Sequence, residues 1–414
     1  MLYRNFTGGR MEKDIDERLL PKGLYRDALN IRVSNSEGSD VGAIENCLGN
    51  KFLTAEDLGT NVKTITAIAD EFDEKIYWLV KSDSGCYVLE YDVNTDTLEY
   101  VLIDTRVGDL NVLNFDETKL ITGINIVIDT DSGNRLLLFT DDNTQPKCVN
   151  IERAKTYGEN GFDEEDILLI KKPPIYAPTI ALGLTGDNEN NIEEKFLRFA
   201  YRYKYLDGEY SALSPLSDVA FNAKTFAYDY SVGTNKSMTN AYNEVDISFN
   251  TGSDLVTDIE VVFKESGSNA IYLIETLNKD SKSWADNTTQ VFNFTNNKIY
   301  QVLPEKELYR LYDNVPLKAK AQDIISNRLV FGNYTENYDI KNAVGNKINI
   351  DLTVNKITTA ITSGTPTNSL KSNRDYEVCI AYLDDFGRGL VPLSSENNSI
   401  QIPIEDSINK NELK

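Results

Sequence analysis

The sequence predicts a mainly β protein, with β-propeller-like blades combined with duplicated immunoglobulin/fibronectin-like β-sandwich domains and very little helix. Three observations carry that prediction. The first is a stretch written twice: Arg198–Ser217, RFAYRYKYLDGEYSALSPLS, returns as Tyr376–Ser394, YEVCIAYLDDFGRGLVPLS. Tyr205-Leu206-Asp207 recurs as Tyr382-Leu383-Asp384, and Pro215-Leu216-Ser217 as Pro392-Leu393-Ser394, at one offset: 382 − 205 = 392 − 215 = 177. The second is a train of short alternating runs separated by Asp, Asn, Ser and Gly turns. The third is composition: 23 Tyr against 16 Phe, with Thr, Val and Ile in short runs, favours strands.

Within the repeat, Phe199, Tyr201, Tyr203 and Tyr205 fall on one face of an extended strand. Tyr376, Val378, Ile380 and Tyr382 are their register-matched counterparts. Alternation ending in Asp207-Gly208, or in the turn Asp385–Gly387, predicts a hairpin with one buried face. Preserved spacing and face predict a duplicated sandwich module; two unrelated hairpins with a chance match are the plainer alternative. The tyrosines themselves read as a half-buried sheet face or, alternatively, as a platform for stacking sugars.

In chain order, residues 1–60 form an irregular segment. Asp14–Leu20 is long enough for one or two helical turns, stopped by Pro21 and Gly23, and Tyr25–Val33 leads into a strand. Ser36–Ser39 and Gly42 read as a turn region, and Glu45–Asn50 closes the segment. Strands are expected at Val62–Ala69, Lys75–Val80, Tyr87–Asp92 and Leu98–Ile103, one blade with Trp78 and Tyr91 as packing aromatics. A second set follows at Leu120–Ile128, Arg135–Phe139 and Lys147–Ile151, closing a blade region over 61–172. Lys171–Pro178, with three prolines, reads as a linker. The first sandwich covers 178–302, with Val245–Phe249, Thr257–Lys264 and Ile271–Leu277 among its strands. Leu303–Asp313 is the best helix in the chain, Pro304 standing near its start. Asn327–Phe331 echoes Asn134–Phe139, so 303–342 reads as a helix and a returning blade. The second sandwich, 343–414, has too few strands, with only Ile400–Ile404 left after the repeat. The chain is therefore expected to be the N-terminal part of something longer, or to be completed by partner chains.

The acidic excess, 65 against 42 for a net charge of −23, repels phosphate backbones and argues against an ordinary nucleic-acid-binding role or adhesion to anionic membranes. Cys47, Cys86, Cys148 and Cys379 have no short spacing and read as buried thiols of a protein folded in a reducing compartment. No signal peptide, membrane anchor or apolar run of membrane-spanning length is visible.

The chain has no histidine, which removes Ser-His-Asp and Cys-His nucleophilic catalysis and histidine-ligated metal. Gly387-Arg388-Gly389 is followed by Leu390-Val391-Pro392, which does not open a helix as a phosphate loop must. Asp129–Asn134 has the look of a calcium loop, but Asn134 and Thr140 stand where glycine and a bidentate glutamate belong, and a hairpin turn is the simpler reading. Asp141-Asp142-Asn143 reads the same way. Paired carboxylates for sugar hydrolysis are a spatial feature, against which a solvated acidic surface is the simpler reading of the composition. No catalytic, cofactor-binding or metal residue is nominated, no cofactor is expected, and no enzyme emerges.

Several stretches carry a family resemblance. Gly9–Asp14 and Arg18–Asn30 resemble the N-termini of phage tail nozzle proteins. Asn327–Tyr334 and the two YLD…PLS stretches are similar to their interior, and the likeness is greatest to the muzzle (nozzle, or tail-tube B) proteins of crAss-like and other short-tailed phages. The resemblance implies propeller and sandwich domains in a six-fold ring at the distal end of the tail, enclosing the channel for genome ejection. It implies as partners other copies of the chain and other tail proteins (ring or adaptor, fibres, cargo), with DNA passing without specific binding, and location in the virion. Muzzle proteins are usually much longer, which is the one departure. A host-glycan-binding adhesin and a glycan depolymerase are the alternative functions.

Overall fold

The computed structural model describes residues 6, 8–33, 44–46, 49, 53, 58–128, 133–186, 189–308, 310–336, 340–342, 344–359, 370–371, 373–389, 392–406 and 410–414. The turn expected at Ser36–Ser39 and Gly42, and the Asp129–Ser132 part of the calcium-like loop, lie outside them. The protein is mainly β, and among the described residues its sheets are antiparallel and none of them is closed. It divides into two compact units, Met1–Asp57 and Leu58–Lys414.

In the first unit, β1 (Ile31–Val33) pairs antiparallel with β2 (Ile44–Asn46). Met11 bridges Tyr25, whose ring meets Phe6 edge-on at 6.1 Å. Asp14–Leu20 forms bends and a turn closed by Leu19 N–H on the Asp16 carbonyl, not the expected helical turns. Leu19 is exposed, so no apolar stripe holds a helix here.

The second unit begins with a four-stranded meander: β3 (Lys63–Asp70), β4 (Lys75–Ser82), β5 (Gly85–Asp92) and β6 (Thr97–Asp104). Its turns are set by side chains. The Asp92 carboxylate accepts from Asn94 N–H at 2.8 Å and Thr95 N–H at 3.1 Å, an Asx turn feeding β6. Trp78 and Tyr91 pack at 6.1 Å, as expected. A three-stranded sheet follows: β7 (Gly123–Ile128), β8 (Arg135–Thr140) and β9 (Lys147–Asn150). Both sheets share one core, in which Leu79 and Val88 meet Phe115, Leu137 and Phe139. Two four-residue helices, α1 (Ile151–Ala154) and α2 (Glu164–Ile167), add Ile151, Ala154 and Ile167 to it.

Lys171–Pro178 is irregular but is no free linker, because Pro173, Pro174 and Pro178 are buried. Next come β10 (Thr179–Gly183), β11 (Leu197–Tyr205), a small ribbon of β12 (Tyr228–Asp229) and β13 (Thr234–Asn235), then β14 (Glu244–Asn250), β15 (Val256–Glu265), β16 (Ile271–Asn278), β17 (Thr289–Phe294) and β18 (Gln301–Val302). They make two sheets, β10-β14-β17 and β11-β15-β16-β18. Strand β14 alternates strictly: Val245, Ile247 and Phe249 point inward and are buried, with Glu244, Asp246, Ser248 and Asn250 between them. They meet Phe199, Tyr201, Tyr203 and Tyr205 of β11 in one cluster. Tyr201 packs on Phe249 at 5.7 Å and Phe199 on Phe294 at 5.1 Å.

The expected hairpin partner of β11 is replaced by something else. The returning segment 211–220 is no strand, and it meets β11 at every third residue rather than every second. Ser211, Ser214, Ser217 and Ala220 donate their N–H groups to the carbonyls of Tyr203, Tyr201, Phe199 and Leu197 at 2.8–2.9 Å. The hydroxyls of Ser211, Ser214 and Ser217 accept in turn from the N–H groups of Tyr203, Tyr201 and Phe199, each at 3.0 Å. Each hydroxyl also donates to the carbonyl of the next residue. Serine thus supplies the acceptor that a partner strand's backbone would have presented.

The helix expected over Leu303–Asp313 is a single turn, α3 (Glu305–Leu308). Its polar residues serve the sheet beside it: Glu307 accepts from Arg202 at 2.7 Å, and Arg310 binds Asp313 and the Tyr210 carbonyl. Leu311 is exposed and so adds nothing to an apolar face that would propagate a helix. The hairpin β19 (Lys318–Ile325) with β20 (Arg328–Thr335) then comes back to the edge of the β7 sheet. Ala319 O accepts from Thr140 Oγ1 and Asp142 N, both at 2.9 Å, and Gly123 lies directly against Gln322.

The C-terminal part contains β21 (Lys356–Ile357), β22 (Arg374–Glu377), β23 (Ser399–Ile402) and β24 (Glu412–Leu413), paired as β21-β24 and β22-β23. Among the described residues of the second repeat, only Tyr376 and Glu377, the end of β22, lie in a strand, with bridges at Ile380–Leu393 and Leu383–Gly389. The face expected to be buried is uncovered at its far end, Tyr382 being half exposed.

Candidate functional site

The two YLD turns converge on one strand, β9. In the first, Gly208 N–H closes on the Tyr205 carbonyl at 2.9 Å, and Gly208 takes the positive φ the turn requires. This holds Asp207 out toward α1. Arg153 grips its carboxylate with both prongs, Nη1 to Oδ1 at 2.8 Å and Nη2 to Oδ2 at 2.7 Å. Asn150, the last residue of β9, accepts from Arg153 N–H at 3.1 Å as the helix cap and donates Nδ2 to Asp207 at 2.9 Å. Burial pushes the Asp207 carboxyl up, but the Arg153 hydrogen bonds and charge, with help from Asn150 and Lys171, outweigh it and leave it below its usual value.

The second turn grips the other end. Asp384 accepts from Arg388 N and Nε, both at 2.8 Å. Arg388 then reaches Gln145, two residues before β9, and the Val315 carbonyl at 3.2 Å. The duplicated aspartates therefore hold the two ends of β9, Asp207 directly and Asp384 through Arg388. Lys171 faces Glu209 at 3.4 Å and the Tyr205 ring, and donates Nζ to the Leu168 carbonyl at 3.1 Å. Burial raises the Glu209 carboxyl despite that lysine. This is a built ionic junction between the sheets.

Next to it a cleft of about 500 Å³ opens between the proline-rich segment and the two sheets of the 178–302 region. Tyr201, Tyr203 and Tyr205 lie at its floor, but as core residues. The Tyr203 hydroxyl donates to the Asn250 carbonyl at 3.1 Å and that of Tyr205 to the Lys172 carbonyl. Burial pushes both phenols upward. The sugar-platform alternative for this strand is thereby corrected: the rings pack inward, and the aromatic presented to solvent at the rim is Tyr176.

The thiols need one correction too. Cys86 and Cys148 are buried, but Cys379 is exposed. Cys47 lies outside the described residues. Among the described residues, no group of three acidic, cysteine or histidine side chains is placed to hold a metal. Nor is any helix among them long and apolar enough to cross a membrane. Asn150, Arg153 and Gln145 were not singled out by sequence reasoning, and Arg388 entered it only within the rejected phosphate loop Gly387-Arg388-Gly389. For Asn150 the signal was present, a strand ending in Asn before Ile-Glu-Arg-Ala, which is a helix cap in sequence.

Compared with known proteins, the chain matches no family model, and no curated protein is similar to it.

Proposed function

We propose that the chain is a structural component of a phage tail, forming the distal nozzle or muzzle ring that encloses the channel for genome ejection. The observation that carries this reading is the return of β19–β20 to the β7–β9 sheet. It gives an order of blade-like sheets, then a sandwich-like pair of sheets, then a returning blade-like hairpin, the combination the family resemblance implies. In this reading β3–β6 and β7–β9 are propeller blades, and 178–302 and 343–414 are sandwich modules, the second one incomplete.

A structural part of this kind works by staying rigid under load. The ionic junction at the ends of β9 supports that role, since it fixes two modules to one strand through directional, desolvated contacts. The charge of −23 supports it as well, because an acidic wall repels the DNA backbone and lets it slide. Light scattering and negative-stain microscopy of the purified chain test the proposal. Six-fold rings with a central hole that do not retain duplex DNA at low salt support it. A monomer that binds host glycans, with binding lost in Tyr176→Ala, would favour the adhesin, for which the cleft beside Tyr176 is the specific observation.

A further inference from the structure

Three lysines are buried among the described residues, and two of them carry a countercharge. Lys171 faces Glu209 at 3.4 Å, and Lys279 binds Asp286. Lys147, the first residue of β9, is 1 % exposed and has no described carboxylate within 4.0 Å. Its Nζ reaches the Thr144 hydroxyl and, at 3.5 Å, the Gln145 carbonyl. Two acceptors suit the two N–H groups of a neutral amine. An ammonium would bury a third donor and a charge, with nothing to answer either.

The charged groups around Lys147 are committed elsewhere. Asp141, in the turn after β8, accepts from the N–H groups of Asn143 and Thr144 and from the Thr144 hydroxyl. Glu164 of α2 accepts from Gln145 Nε2 at 3.3 Å. Asp104, at the end of β6, binds Arg106 and the N–H groups of Val112 and Leu113. On α1, Glu152 accepts from Arg135 N–H, Arg153 grips Asp207, and Lys155 binds Glu90 and Glu99. Arg388, which reaches Gln145, is paired with Asp384. Cys86 of β5 faces the lysine as a thiol that burial keeps protonated. Burial outweighs the more distant Asp141 and Glu164 charges and lowers the Lys147 amine from its ordinary value.

We infer that Lys147 is a proton-operated latch on β9. The strand keeps its place while the amine is uncharged, and taking up a proton drives the lysine toward water and the strand out of its sheet. Because Asp207 is held at Asn150 and Arg388 at Gln145, release of β9 frees both ends of the ionic junction together. The latch is independent of ring assembly. In the unfolded chain the amine titrates near about 10.4. Below that pH the unfolded chain binds a proton that the folded one refuses. The folded state is therefore favoured as the pH rises toward that value and loses ground as the pH falls toward the folded one.

Urea unfolding of the full chain from about pH 7.5 to about pH 10, wild type against Lys147→Met, tests the latch. The wild type is expected to gain on the variant as the pH rises, by up to about tenfold in the unfolding equilibrium constant per pH unit, the limit for one proton. Buried thiols and tyrosines titrate in the same range, but both proteins carry them. A difference that stays flat, or runs the other way, overturns the latch. Hydrogen exchange in wild type, corrected for its chemical rate, should show amides 147–150 gaining more protection over this range than those of β14. Equal gains would overturn the release of β9.

Lysines labelled with carbon-13 at Cε, whose shift follows the charge, give a readout on wild type alone, should the variant fail to fold. One signal that keeps the uncharged position at neutral pH supports the latch, and its loss in a folded Lys147→Met assigns it. All lysines titrating together near about 10.4, or an uncharged signal that survives the substitution, overturns it.

Discussion

Arg153 and Asp207, 54 residues apart in the chain, meet in a two-pronged ion pair at 2.7–2.8 Å, with the aspartate side chain only 8 % exposed. The pair joins the helix after β9 to the turn after β11, so the module at 178–302 is anchored by charge as well as by its apolar core. Removing one partner of a desolvated pair leaves the other charged and unpaired. Asp207→Asn is therefore expected to destabilise the protein by about 3–5 kcal/mol near neutral pH.

The acid limb of stability supplies an independent check. The folded carboxyl of Asp207 lies below its unfolded value of about 4, so its contribution is complete above that pH and is lost as the pH falls through the folded value. Urea unfolding of wild type and Asp207→Asn should converge as the solution is acidified. A gap that stays constant through that range would show that the charge on Asp207 is not what the pair uses.

The serine rungs make a second prediction. Ser211→Ala, Ser214→Ala and Ser217→Ala each strip the acceptor from one buried N–H of Tyr203, Tyr201 or Phe199. Each is expected to cost about 1–3 kcal/mol. Hydrogen exchange should accelerate first at the amide opposite the missing hydroxyl; uniform acceleration along β11 would sink the assignment of individual rungs.

Gly123 makes a third. A Cβ here would sit 2.3 Å from the Gln322 backbone nitrogen and 2.7 Å from its carbonyl oxygen, a clash no side-chain rotation relieves. Gly123→Ala should lift β19–β20 off the β7 sheet at a cost of about 1–3 kcal/mol. Limited proteolysis should then cut within 318–335 faster than in wild type, and an unchanged cleavage rate would contradict the seating described.

The thiols make a fourth. Burial, with the Glu209 charge second, pushes Cys148 up to about 12, and burial raises Cys86 as well. A thiol reagent should label Cys379 in the native protein well ahead of Cys86 and Cys148, whose labelling should follow unfolding. Peptide mass mapping locates the labels, and early modification of Cys148 would contradict its packing.

The strands of 61–172 were legible almost to the residue, because each run is short, alternates and ends at a side-chain-directed turn such as Asp92–Thr95. Strand β14 was legible for the same reason. The ionic junction was not. Asp207-Gly208 announces a turn, but which arginine finds it depends on how the sheets stack, and no local pattern encodes that. The helix over Leu303–Asp313 failed for a related reason, its polar residues being committed to Arg202, Tyr210 and Asp313 rather than to a solvated helix face. The hairpin reading of the repeat found β11 and its face but missed how the chain returns. The spacing Ser211-x-x-Ser214-x-x-Ser217 was the available signal, a period of three where a paired strand shows two.

That period limits how the segment can change length. Three residues of the return answer two of β11, so losing a single residue between Ser211 and Ser217 displaces every later hydroxyl from its amide. Losing three together removes one rung and leaves the others in place. Insertions and deletions in this segment are thus tolerable only in multiples of three residues, whereas a paired strand such as β14 keeps its faces only when it shifts by two.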